Sequence, residues 1–172
     1  IKKYKKFSSF RLIGMGGSIL GAEAIYQFLS HKIKKNFSFV NNLKPKNEKF
    51  NKKKILNIII SKSGNTLETI SNVNNLITKK NNIFITENKK NYLTNLAKKL
   101  RAEIFEHNNF IGGRYSVLSE VGMLPAELMG LHSKKFKQLN YLVKNKFFFS
   151  NLINNVNAIL FFLKKKNLHQ LF

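Results

Sequence analysis

Ser61-Lys62-Ser63-Gly64-Asn65-Thr66-Leu67-Glu68-Thr69 brings four hydroxyls and one ammonium together around a candidate helix start. Hydroxyls and backbone N–H groups can ring a dianionic phosphate, and a nearby lysine adds charge. A capped helix would need only one of those hydroxyls, with Asn65 or Thr66 as the cap and Glu68 in the first turn. Several are present, which favours phosphate. Gly14-Met15-Gly16-Gly17-Ser18 is a second candidate, because glycines let a backbone pass close to a ligand and a following helix offers unpaired N–H groups. It is not the dinucleotide fingerprint, which needs glycine where Ile19 stands, nor a P-loop, because Ala22-Glu23 replaces Lys-Ser/Thr. Taken alone it reads equally well as a tight strand-to-helix turn. In Gly112-Gly113-Arg114-Tyr115-Ser116, two glycines precede a guanidinium that could pair with an anion or stabilise developing negative charge. Taken alone, this third segment reads as a surface arginine after a flexible turn.

Elements that could position these segments alternate along the chain. Strands are predicted at Phe10–Ile13, Phe37–Val40, Ile55–Ile60, Ile83–Ile85 and Glu103–Phe105. Helical spacing runs over Ser18–Leu29, Thr66–Ile77, Tyr92–Leu100, Val117–Leu131 and Leu152–Leu163. A polar, lysine-rich connection with Pro45 fills Asn41–Lys54. Strands alternating with helices imply an α/β fold with a mainly parallel sheet covered on both faces, followed by C-terminal helices. Ligands of such sheets bind beyond the carboxyl ends of the strands, where the first two segments fall. The expected organisation is one domain over residues 1–131 and a helical extension over 132–172. Aromatics at Phe147–Phe149 and Phe161–Phe162 suit an uncovered domain interface as well as a local core.

Composition narrows the classes. The chain of 172 residues carries 31 Lys+Arg against 8 Asp+Glu, a formal net charge of +23. Such a chain would adhere to polyanions, and nucleic acid must be weighed. Only Arg11, Arg101 and Arg114 are arginine, every acidic residue is glutamate, and asparagine is abundant. Lysine and asparagine both have AT-rich codons, so genome bias is the better account, and no specific nucleic-acid partner is expected. With no cysteine, disulfides, thiolate metal sites and cysteine nucleophiles are excluded. No stretch reads as the ~20 apolar residues a bilayer span requires, so no membrane partner is expected. The chain begins with Ile1 and has no signal-peptide core, which reads as a piece of a longer protein.

The order and character of the three segments resemble the glucose-6-phosphate isomerase family. Gly14–Gly21 resembles its glycine-glycine-serine loop, and Ser61–Thr69 its Ser-Lys-Ser-Gly-x-Thr-x-Glu-Thr phosphate loop. The stretch GGRYSVLSEVGMLPAELMG, from Gly112 to Gly130, resembles its arginine signature. The resemblance covers most of residues 10–131, and the third segment is the most specific. Broader sugar-isomerase (SIS) domains share the first two loops but not that one. The resemblance implies a three-layer α/β/α SIS-type domain. It implies that Gly17 and Ser18 contact substrate near its sugar-phosphate end, and that Ser61, Lys62, Ser63, Gly64, Asn65 and Thr66 form a phosphate cradle. Arg114, beside Gly113, would stabilise an enediolate. The implied reaction interconverts glucose 6-phosphate and fructose 6-phosphate, in a cytoplasmic homodimer, with no metal or cofactor. It also needs a carboxylate base, a histidine and a lysine that lie later in sequence than the arginine signature, so this chain alone is expected to be incomplete and inactive. Glu120 and Glu127 read as structural members of the signature helix, and His31, His107, His132 and His169 earn no catalytic role. A non-catalytic SIS module that senses a sugar phosphate is the alternative; it keeps both phosphate loops but leaves Gly112–Gly130 unexplained.

Overall fold

A computed structural model describes residues 1–43, 54–136, 138 and 140–164. Most of the lysine-rich connection, including Pro45, and also His169, lie outside the described residues. Two compact units are present, Ile1–Ser133 and Lys134–Phe172.

In the first unit, strands β1 (Ser9–Ile13), β2 (Asn36–Val40), β3 (Ile55–Ile60), β4 (Asn82–Thr86) and β5 (Glu103–Glu106) form one sheet. Its order is β2-β1-β3-β4-β5, and every pairing is parallel. Interleaved helices are α1 (Leu20–Phe28), α2 (Leu67–Leu76), α3 (Tyr92–Lys99) and α4 (Glu120–Leu128). The two-residue period of a strand sends successive side chains to opposite faces. Phe10, Leu12, Ile58, Ile60, Ile83 and Ile85 accordingly pack on one face with Ala22 of α1 and Val121, Leu124 and Leu128 of α4. Ile13, Ile59 and Phe84 pack on the other with Val73 and Leu76 of α2 and Leu93 and Ala97 of α3. The run ILNIII of β3 is nearly all apolar because both of its faces are covered, the usual condition of a central parallel strand. The result is a three-layer α/β/α architecture, as the alternating pattern implies.

The largest departure from the periodicity lies after β5. Helical spacing from Val117 to Leu131 predicts one helix, but Gly113–Leu118 is a 3-10 turn and α4 begins only at Glu120. Ser119 makes the break. Its hydroxyl donates to the Ser116 carbonyl at 2.7 Å and accepts from the Val121 N–H. Gly122 lies so close to the Val117 carbonyl that a Cβ there would overlap it.

The second unit holds α6 (Asn140–Lys144) and α7 (Lys146–Lys164), and the short α5 (Ser133–Phe136) begins at the junction of the units. All of α7 is exposed, including Phe147, Phe148, Phe149, Phe161 and Phe162. At 19 residues and a mean hydropathy of 1.2, α7 is long and apolar enough to cross a membrane by length and composition, which corrects the sequence reading on that point. Ser150, Asn151, Asn154, Asn155 and Asn157 interrupt it, and each carries a desolvation cost in hydrocarbon.

Ile58 is fully buried at the centre of β3. Ile58→Ala should cost ~2–5 kcal/mol of stability, read as a lower urea midpoint at unchanged slope.

Candidate functional site

Order 2-1-3-4-5 places the reversal of strand order between β1 and β3, and crevices beyond the carboxyl ends of strands at such a point hold ligands. Ile13 pairs with Ile59, so the segments leaving β1 and β3 emerge side by side. After β1 the chain enters a 3-10 turn, Gly16–Ser18, with Gly16 at φ +52°, a conformation that favours glycine.

Gly17 touches the third segment. A Cβ on Gly17 would overlap the Gly113 carbonyl and lie 2.8 Å from the Arg114 amide nitrogen. Ser116, fully buried, closes this contact by directing its hydroxyl at two carbonyl oxygens, Gly113 at 2.7 Å and Gly17 at 3.2 Å. One turn on, Gly21 meets Val117 in the same way, with an added Cβ 2.7 Å from the valine methyl. Two loops about a hundred residues apart in sequence thus share one backbone contact.

The second segment is held from within. Ser61 is buried; its hydroxyl lies 2.9 Å from that of Thr66 and accepts the Gly64 N–H. Gly64 has φ +68°, and the Asn91 side chain fills the space where a Cβ would stand. Thr66 occupies the N-cap position of α2, yet its side chain makes no capping hydrogen bond. The helix-cap alternative therefore assigns the position correctly but not the interaction. Ser63 is exposed and accepts from the Asn65 N–H, while the Asn65 side-chain oxygen accepts from the Tyr92 N–H.

Lys62 joins the second segment to the third. Its ammonium donates to the Asn109 carbonyl at 2.9 Å and the Ile111 carbonyl at 3.0 Å, and lies 3.6 Å from the Glu87 carboxylate. Lys89, at 2.7 Å, and then Lys62 hold the Glu87 carboxyl below the usual carboxylate range. Glu120 braces the same stretch, accepting the Asn108 N–H at 2.9 Å and lying 3.6 Å from Nδ1 of the fully buried His107. Arg114, in contrast, is exposed and has no hydrogen-bond or ion-pair partner among the described residues. Ser18 sits at the end of its 3-10 turn, half-buried. His31 and His132 are exposed.

Sequence reasoning missed the bridging role of Ser116 and the crossing of Lys62. Ser116 stands within the quoted signature, but nothing local says that its hydroxyl turns toward Gly17. The lysine's type suggested charge for an anion; its reach to two carbonyls depends on where the third segment folds back.

Gly17→Ala should force the first and third segments apart and cost ~1–3 kcal/mol, read by chemical denaturation together with faster amide exchange at Arg114 and Ser116. For Glu87, a lowered folded-state pKa contributes stability that is present above the unfolded pKa and lost as pH falls through the folded one. Wild type should therefore exceed Glu87→Gln in stability at about pH 7, and the gap should narrow as acid titration passes through the folded-state pKa of Glu87.

The sequence model of the family described as phosphoglucose isomerase matches residues 2–168. Glucose-6-phosphate isomerase of Methanocaldococcus jannaschii is 34% identical over 98% of this chain and 47% of its own length. The enzyme of that name from Borreliella afzelii is 37% identical over 70% of this chain and 26% of its own. The chain thus spans about half the length, or less, of these relatives. Among solved structures, a hypothetical protein from Thermus thermophilus superposes with a TM-score of 0.66 at 25% identity, over 77% of this chain and 36% of that one. Tagatose-6-phosphate ketose/aldose isomerase from Escherichia coli superposes with a TM-score of 0.57 at 17% identity, over 83% of this chain and 43% of that one, which speaks to the SIS-type fold alone. A family match across almost the whole chain, running through all three segments of the site, decides the matter: the chain belongs to the phosphoglucose isomerase family.

Proposed function

We propose that this chain supplies the sugar-phosphate cradle and the intermediate-stabilising arginine of a glucose-6-phosphate isomerase. The observation that carries the reading is the Gly17–Gly113 contact, which sets Arg114, unpartnered among the described residues, beside the loops at the topological switch point. The relatives' shared name, glucose-6-phosphate isomerase, supports the choice of substrate.

The chemistry divides among the three segments. A dianionic phosphate sits at the start of α2, whose first N–H groups have no side-chain cap. Exposed Ser63 and half-buried Thr66 offer hydroxyls, and Lys62 adds positive charge while tethering the third segment. Ser61 shapes the loop from beneath, since its hydroxyl is engaged with Thr66 and Gly64. Gly17 and Ser18 border the sugar. Removal of the C2 proton of the open-chain aldose builds negative charge on the C1 oxygen. A guanidinium in place beforehand stabilises that charge more than the neutral ground state, so Arg114 acts on rate rather than on binding. The base that takes the proton, and the groups that open the ring, belong to motifs that follow the arginine signature in the family.

Titration of the chain with glucose 6-phosphate and with inorganic phosphate tests the cradle. Ser63→Ala with Thr66→Ala should weaken both by about tenfold, at ~0.5–1.5 kcal/mol for each hydroxyl, with the circular dichroism spectrum unchanged. Unaltered affinity would leave these residues with no role beyond the loop. A coupled isomerase assay tests the rest. The chain alone should show no turnover, and clear turnover would show that the base has been misplaced. In a protein that carries the remaining motifs, Arg114→Ala should lower kcat at least ~100-fold with KM changing far less, and Arg114→Lys should recover part of the loss. A raised KM at constant kcat would reassign Arg114 to gripping the phosphate.

A further inference from the structure

A cleft of about 550 Å³ opens at the amino ends of the strands, opposite the loops described above. Its walls come from the residues before β1, β4 and β5. Strands of five or six residues at ~3.3 Å each put it about 17–20 Å from the sugar-phosphate loops. Lys3, Lys6, Lys79, Lys80 and Arg101 line it, against the single carboxylate of Glu103. That carboxylate is already satisfied. Lys3 pairs with it at 2.6 Å and the Tyr4 hydroxyl donates to it at 2.7 Å. Both contacts, that of Lys3 first, hold it below the usual carboxylate range, while burial pushes the Tyr4 hydroxyl up to about 12. Among the described residues no carboxylate pairs with Lys6, Lys79, Lys80 or Arg101.

Arg101 is the informative residue. It follows α3 with φ +49°, at the position where helices usually end in glycine and where a bulky side chain is strained. The other arginines have evident employment. Arg11 is buried and donates to the Leu76 carbonyl, and Arg114 belongs to the signature. In a chain whose other Lys and Arg residues are lysine apart from those two, an arginine therefore stands at a strained position on the rim of a basic cleft, its guanidinium without a partner among the described residues. Hydroxyls for a sugar are lacking, because the lining has only that of Tyr4, which Glu103 takes. The Asn82 amide is likewise engaged, with Asn57 and Thr78. Recognition here would be by charge, and the four cations that remain beside the Lys3–Glu103 pair exceed what one phosphate needs.

We infer that this cleft is a second anion site, built for a small ligand carrying two or more phosphate groups. Its rival is that these cations merely offset the negative C-terminal ends of α2 and α3, which point to the same edge. Calorimetric titration of the chain with inorganic tripolyphosphate separates the two. Tripolyphosphate should bind at one site, far more tightly than inorganic phosphate, and should still bind with glucose 6-phosphate present. Arg101→Gly should weaken it at least tenfold without lowering the melting temperature, since glycine relieves the strained backbone. Adding Lys79→Gln and Lys80→Gln should abolish it. A charge-matched control, Lys32→Gln with Lys34→Gln and Lys144→Gln, should change affinity by less than about threefold, the part due to general screening. Equal loss in the control, unchanged affinity in Arg101→Gly, mutual exclusion with glucose 6-phosphate, or no saturable binding would each overturn the site.

Discussion

Two backbones in contact, at Gly17 and Gly113, govern the arrangement of this protein's loops. No side chain can stand between them, and the buried Ser116 hydroxyl fastens both carbonyls from one side. The first and third segments are both referred to that contact. The 3-10 turn at Gly113–Leu118 is what presents Ser116 to Gly17, and Ser119 must end that turn so that α4 can run back over the sheet. Gly21 and Gly122 then both give way to Val117, so the junction of α1, α4 and the turn is glycine-lined on each side of one valine. A substituent at any of these positions would be felt at the others, because close-packed interiors transmit displacement rather than absorb it.

Parallel strand order gives the molecule two electrically different ends. Helices following parallel strands begin at the carboxyl edge, where their N–H groups favour anions, and finish at the amino edge, where their carbonyls favour cations. The start of α2 leaves its amides without a side-chain cap at the first edge. Lys79, Lys80 and Arg101 gather just beyond α2 and α3 at the second. Genome composition accounts for many of the lysines in a chain of net charge +23, but it does not choose their places. Where a basic residue takes a strained backbone, as Arg101 does, composition explains nothing.

Much of this was legible in one dimension. The apolar run Ile55–Ile60 announces a strand covered on both faces, because that signal is local. Strand boundaries fell within a residue of those expected from Phe10–Ile13, Phe37–Val40, Ile83–Ile85 and Glu103–Phe105. What escaped depends on partners far along the chain. Val117–Leu131 keeps helical spacing throughout, and only the approach of Gly122 to the Val117 carbonyl shows why its first residues do not join the helix. Lys62 and Ser116 were in view as residue types, but their hydrogen bonds reach 47 to 99 residues away. In α7 the asparagines break the apolar run, so a search for an unbroken span passes over it although its length and composition suffice for one.

The two cations of these loops, Lys62 and Arg114, differ in how far the protein already engages them. An ammonium has three donors, and Lys62 directs two of them at carbonyls, with the Glu87 carboxylate 3.6 Å away. Those contacts fix its position and leave its charge as a steady field beside the start of α2. A guanidinium has five donors in a rigid fork, and none of Arg114's has a partner among the described residues. In the role proposed for it, such a group would meet a developing charge without first breaking a bond to the protein. Its backbone is positioned by Gly17 and Ser116, so its freedom is confined to the side chain. Stabilising a transient anion needs that combination, because a donor that must reorganise loses in reorganisation what it gains in contact. The lysine keeps the loop in place so that the arginine need not.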